Sequence, residues 1–177
     1  MTVPPDVWEQ VRSRANLACE YCGVTERDTG GLLTVDHYRP TIQEGTDALD
    51  NLLYCCYRCN LYKGDYWPTG AGSTQLWNPR EEPRDLHLTT REDGSCLALT
   101  PAGAFTIALL HLNRPQLLAW RLRKMRQEAG MRQLKRLQGL LQAWFELEGQ
   151  RAEGLEDQRR ILGEELKLLE ELLRDQG

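Results

Sequence analysis

At 177 residues, with 22 basic against 26 acidic side chains and a formal charge of −4, the chain holds one domain with a real core plus an appendage, and a globally cationic nucleic-acid binder is excluded. No apolar run reaches the roughly 18 residues of a membrane span, and Met1-Thr2-Val3-Pro4-Pro5-Asp6 lacks the basic and apolar blocks of a signal peptide, so the expected compartment is the cytoplasm. Six cysteines in a reducing compartment then point to metal rather than to a disulfide framework.

Val7, Trp8, Val11 and Ala15 at near-helical spacing predict a first helix over residues 6–17, with Asp6 as its N-cap. A turn at Gly30-Gly31 leads into a strand from Leu32 to Tyr38, ended by Pro40. A polar loop over 41–50 precedes a brief strand at Leu52–Tyr54 and a helix from Cys56 to Lys63, closed by Gly64. Residues 65–84 mix prolines, glycines and polar groups and read as irregular. Leu86–Thr90 and Cys96–Leu99 resemble a hairpin; Thr100-Pro101 and Asn113 with Pro115 each start a helix.

From Pro115 onward nearly every residue favours helix. Leu134, Leu137, Leu141, Trp144 and Phe145 form one apolar stripe and Leu155, Leu162, Leu166, Leu169 and Leu173 another, with Gly149 and Gly154 bracketing an expected break. Charge is segregated: residues 121–136 carry 7 basic and 1 acidic group, residues 146–175 carry 5 basic and 10 acidic. Two antiparallel helices would bring these blocks together; the alternatives are a nucleic-acid contact through the basic run, or packing of the stripe on a second copy or a different subunit. The expected division is a domain over residues 1–115 and a helical, coiled-coil-like extension over 116–177.

Cys19-x-x-Cys22 and Cys56-x-x-Cys59 have the spacing of two zinc knuckles, because each turn lets two thiolates reach one tetrahedral ion. The bland alternative is two pairs of buried thiols. The 33 residues between the pairs exceed the usual zinc-ribbon interval, so something is inserted. The insertion carries Asp36, His37 and Asn51. Past the second knuckle, Asn60 and Lys63 lie three apart on one helix face. A carboxylate and an imidazole at a strand end, with an amide and an ammonium on a helix, suit metal-assisted cleavage of a phosphodiester.

The pattern formed by Cys19, Cys22, Asp36, His37, Asn51, Leu52, Cys56, Cys59, Asn60, Lys63, Gly64 and Asp65 resembles the HNH endonucleases with a ββα-metal fold. Leu76-Trp77-Asn78-Pro79-Arg80, His87 and Leu112-Asn113-Arg114-Pro115 look like the trailing segments of a stand-alone bacterial subgroup, so the likeness covers roughly residues 6–125. It implies an α+β fold built on the ββα-metal core, a structural Zn2+ on the four cysteines, and a catalytic Mg2+ or Mn2+ held by Asp36 and Asn60. His37 would be the general base, Asn51 would position His37 and its loop, and Lys63 would pair with a phosphate. The chain departs from many relatives in having Thr34 where they carry a histidine, and Asn60 as the last motif residue.

For His37 the competing role is a packed histidine; His87, on an expected strand between Leu86 and Leu88, reads first as a core or neighbouring residue with a supporting role near the site as the alternative, and His111, among leucines, reads as structural. Arg39, Arg58, Arg80 and Arg84 are candidate phosphate contacts, each weighed against the commonness of surface arginines. The leading expectation is a DNA endonuclease that nicks; the competitor is a zinc-stabilised adaptor whose tail docks into a larger nucleic-acid or defence assembly.

Overall fold

The computed structural model describes residues 3–70 and 72–174, without the side chains of residues 152 and 168–174. Two compact units divide the chain, one ending at Lys124 and the other beginning at Met125. The first is a mixed α+β unit with two small antiparallel sheets.

Helix α1 (Pro5–Arg14) starts with Pro4 at the N-cap and proline in its first turn, where the missing amide costs no hydrogen bond; Asp6 falls inside that turn, not at the cap. Its Val11 is fully buried, and Trp8 meets Tyr54 edge-on at 5.8 Å. A single helical turn, α2 (Glu26–Thr29), is added where only a glycine turn was expected, because Thr25 and Asp28 form a reciprocal capping box.

Strand β1 (Thr34–His37) pairs antiparallel with β2 (Leu52–Cys55), Asp36 opposite Leu53 and His37 opposite Leu52. β2 is buried throughout, and its Leu52, Leu53 and Tyr54 form the centre of the core. Helix α3 (Tyr57–Lys63) follows at once, capped by Cys56 and stopped by Gly64 at φ 50°. The loop between the strands folds tightly on itself. A Cβ at Gly45 would lie 1.8 Å from the Arg39 carbonyl oxygen, so only glycine allows that closure.

After an irregular stretch come α4 (Arg84–His87), β3 (Leu88–Thr90) and β4 (Cys96–Ala98), then α5 (Pro101–Leu109), whose Thr100 hydroxyl accepts from the Gly103 amide at 3.1 Å. The hairpin expected from Leu86 begins at Leu88 instead. Pro83 caps a short helix that absorbs Leu86 and His87, so His87 ends a helix rather than occupying a strand.

Helix α6 runs unbroken from Pro115 to Arg174. Its first turns complete the core through Leu117 and Trp120, and Arg121 is buried, donating to the Gly94 carbonyl at 3.0 Å. The expected helical hairpin is therefore corrected: Gly149 and Gly154 stay helical. A glycine costs about 1 kcal/mol in a helix interior, and long flanking runs of leucine, glutamate, glutamine and arginine offset that, while no proline follows Pro115. In the second unit Leu134, Leu137, Leu141, Trp144, Phe145, Leu155, Leu162 and Leu166 are all more than half exposed; the side chains of Leu169 and Leu173 lie outside the described residues. No helix among the described residues is long and apolar enough to cross a membrane.

Candidate active site

The two Cys-x-x-Cys turns meet. The sulfurs of Cys19, Cys22, Cys56 and Cys59 lie within 4.8 Å of one another, all buried and none in a disulfide. Four thiolates around tetrahedral zinc at about 2.3 Å would be separated by about 3.8 Å, and Cys22 Sγ stands 3.7 Å from Cys56 Sγ. Hydrogen bonding, first from Cys19 and then from Cys22 and Cys59, holds the Cys56 thiol far below its ordinary range, while contacts within the same cluster push Cys22 and Cys59 up; a cation is what would hold all four as thiolates. The cluster fits a zinc site. Glu20, inside the first knuckle, accepts from the Tyr54 amide at 2.7 Å, and its own amide donates to the Tyr54 carbonyl at 2.9 Å, so the knuckle is stitched to β2.

From this anchor α3 crosses β1. Asn60 Nδ2 donates to Thr34 Oγ1 at 3.1 Å, and Lys63 Nζ stands 3.0 Å from Asp36 Oδ2 and donates to the His37 carbonyl at 2.6 Å. Thr34 and Asp36, two apart on a strand, share the face toward α3. Burial, partly opposed by Lys63, raises the Asp36 carboxyl above the ordinary range. The Lys63 ammonium satisfies Asp36 Oδ2 on one side, and a carboxylate oxygen has lone pairs for a further partner. With the Asn60 carboxamide oxygen free of protein donors among the described residues, the pair offers the oxygen ligands a hard divalent ion prefers.

Lys63, expected to face a phosphate, is buried, its side chain 1% exposed: the ammonium is spent on Asp36 and the end of β1. His37 is only 17% exposed at its side chain, and its Nε2 meets Asp47 Oδ1 at 2.7 Å. Asp47 was missed from sequence, because it is one polar residue among many in a loop and only chain closure brings it to His37. That closure is the work of Asn51. Its carboxamide oxygen accepts from the Arg39 amide at 2.8 Å while Nδ2 donates to the carbonyls of Arg39 at 3.1 Å and Thr46 at 2.8 Å.

The arginines separate. Arg39 donates to the Gln43 carbonyl, pairs with Glu44 at 3.1 Å and covers Trp67; Arg80 is ion-paired with Glu20; Arg84 reaches Thr90 and Cys96. Arg58 alone of the four is exposed without a hydrogen-bond or ion-pair partner among the described residues. It lines a surface cleft of about 400 Å³ with Arg114, Arg123, Tyr62 and Trp120. His87 is hydrogen-bonded between Thr100 at 2.7 Å and Glu82 at 2.8 Å, a buried structural role, and exposed His111 meets Tyr62 edge-on at 4.6 Å.

With this geometry in view the class is clear: residues 19–66 match the HNH endonuclease family model, so the chain carries an HNH endonuclease domain spanning both knuckles and the ββα unit. It is also similar to the type II restriction enzyme KpnI of Klebsiella pneumoniae, 37% identical over 86 residues that cover 40% of this chain and 39% of that enzyme. The chain thus spans well under half the length of that relative. No solved structure matches it.

Proposed function

We propose that the chain is a metal-dependent DNA endonuclease that hydrolyses phosphodiesters one strand at a time. The observation that supports this best is the tie of α3 to β1: Lys63 holds Asp36 and the His37 carbonyl, and Asn60 holds Thr34 on the same strand. His37 acts as general base. With Nε2 hydrogen-bonded to the Asp47 carboxylate, Nδ1 carries the lone pair and takes the proton from water as its oxygen bonds to phosphorus; the 3′ oxygen leaves and a 5′ phosphate remains. Asp36 and Asn60 would hold magnesium or manganese, which supplies electrostatic stabilisation of the charge growing on phosphate and leaving group. Asn51 keeps the loop bearing Asp47 in place. Arg58 is the arginine best placed to meet a phosphate; Arg39 and Arg80 would have to give up internal partners. One such site has one cleavage geometry, hence nicking.

Supercoiled plasmid incubated with the protein and magnesium or manganese should yield nicked circles before linear DNA, and His37→Ala should lower the rate by about 100- to 10,000-fold. Equal activity in both proteins would overturn the assignment. A second reading, a zinc-stabilised nucleic-acid-binding adaptor in a larger defence or DNA-processing complex, draws on the exposed apolar stripe of the second unit. Absence of cleavage by either protein would favour it.

A further inference from the structure

We infer that residues 125–167 of α6 form an antiparallel pair with the same segment of a second copy of this chain. The unit presents an apolar stripe along a helix with no fold-back, so the stripe has no partner within the described residues of its own unit. Exposed apolar surface of this extent on a lone helix marks an interface. Charge says what covers it. Residues 125–145 hold four basic side chains and one acidic, a net of +3, whereas residues 146–167 hold four basic and seven acidic, a net of −3. The two halves are nearly equal in length, equal and opposite in charge, and each carries part of the stripe: Leu134, Leu137 and Leu141 in one, Leu155, Leu162 and Leu166 in the other.

A surface that is its own complement under a two-fold axis is what an isologous dimer requires. Antiparallel packing sets each basic half on an acidic half, twice over. Parallel packing would set +3 on +3 and −3 on −3 within about a Debye length, so orientation follows from the charge pattern. Leucines across the seam, with Trp144 and Phe145 beside them, would supply the attraction; the charges select the direction.

The experiment is light scattering and sedimentation on the full zinc-loaded chain across a concentration series, in 50 mM and 1 M NaCl. A mass of twice 20.4 kDa is expected, with a dissociation constant at least about 10-fold weaker in high salt. Leu141→Glu with Trp144→Glu should return the mass of one chain with zinc content unchanged. Should that variant lose helicity, Arg132→Glu with Lys135→Glu and Arg136→Glu provides a second arm, weakening the dimer by at least about 10-fold while the helix remains. A single-chain mass at every concentration, as a folded-back hairpin or a need for a different subunit would give, overturns the inference. A dimer indifferent to salt, or tightened by it, overturns the antiparallel orientation. These readouts involve no cleavage, so the inference stands or falls apart from the nuclease proposal.

Discussion

His37 and Asp47 meet at 2.7 Å, and in the proposed mechanism this contact sets which imidazole nitrogen is left to act as base. A carboxylate on one imidazole nitrogen orients the ring and stabilises the cation formed when the other nitrogen takes a proton. Asp47→Asn should therefore slow cleavage by at least about 10-fold with zinc content and melting temperature unchanged; a rate equal to wild type would show that the contact is incidental. Lys63 invites the opposite test. An ammonium gripping phosphate would be lost without harm to the fold, but here it compensates buried Asp36. Lys63→Ala should cost about 3–5 kcal/mol in denaturant unfolding, because it strands a carboxylate in the interior. A loss below about 1 kcal/mol would return Lys63 to the surface role.

Between elements, the cysteine cluster sets the ββα unit in place. Cys56 is both a prospective zinc ligand and the N-cap of α3, Cys59 lies in the first turn, and Asn60 is the next residue. Structural zinc contributes about 10–16 kcal/mol of apparent binding free energy in small zinc peptides, comparable with the stability of a whole domain. Cys59→Ser should consequently abolish zinc stoichiometry and cooperative unfolding of the first unit together; a folded, merely slower protein would contradict a structural role. The elements also show where sequence signals suffice. Thr100 before Pro101, Gly64 after Lys63 and the spacing of Cys56 and Cys59 act within a few residues of themselves, so the ends of α3 and α5 were legible. Gly149 and Gly154 were misleading, since a glycine weakens a helix without ending it when no partner helix or proline enforces the turn.

Across the whole first unit, one network joins α1, α2 and β2. Arg12 grips both oxygens of Glu26 at 2.6 and 2.9 Å, and Tyr54 donates to the same carboxylate at 2.5 Å. The Arg12 bonds first, then the Tyr54 bond, hold the Glu26 carboxyl at about 2 against an ordinary 4.5. A lowered carboxyl value stabilises the folded state above 4.5, and the gain disappears as pH falls from 4.5 toward 2. Tyr54 runs the other way: burial, then Glu26, raises it to about 12, so its share is lost as pH climbs from 10 through 12. Denaturant midpoints should hold steady from pH 7 to 5 and drop below about 4.5, and Glu26→Gln should flatten part of that drop. An identical acid limb in the variant would refute the network's role.

By itself the sequence determined the chemistry within reach of short spacings: two knuckles, a strand ending in Asp36-His37, a helix presenting Asn60, and a helical tail with segregated charge. Those features depend on neighbours three or four residues away, and local backbone geometry is enough to express them. Only the tertiary structure decided that Asp47 reaches His37 and that Lys63 and Arg80 turn inward to Asp36 and Glu20. Each of those outcomes hinges on which distant groups compete for a charge or a face when the chain closes, and such competition leaves no local mark.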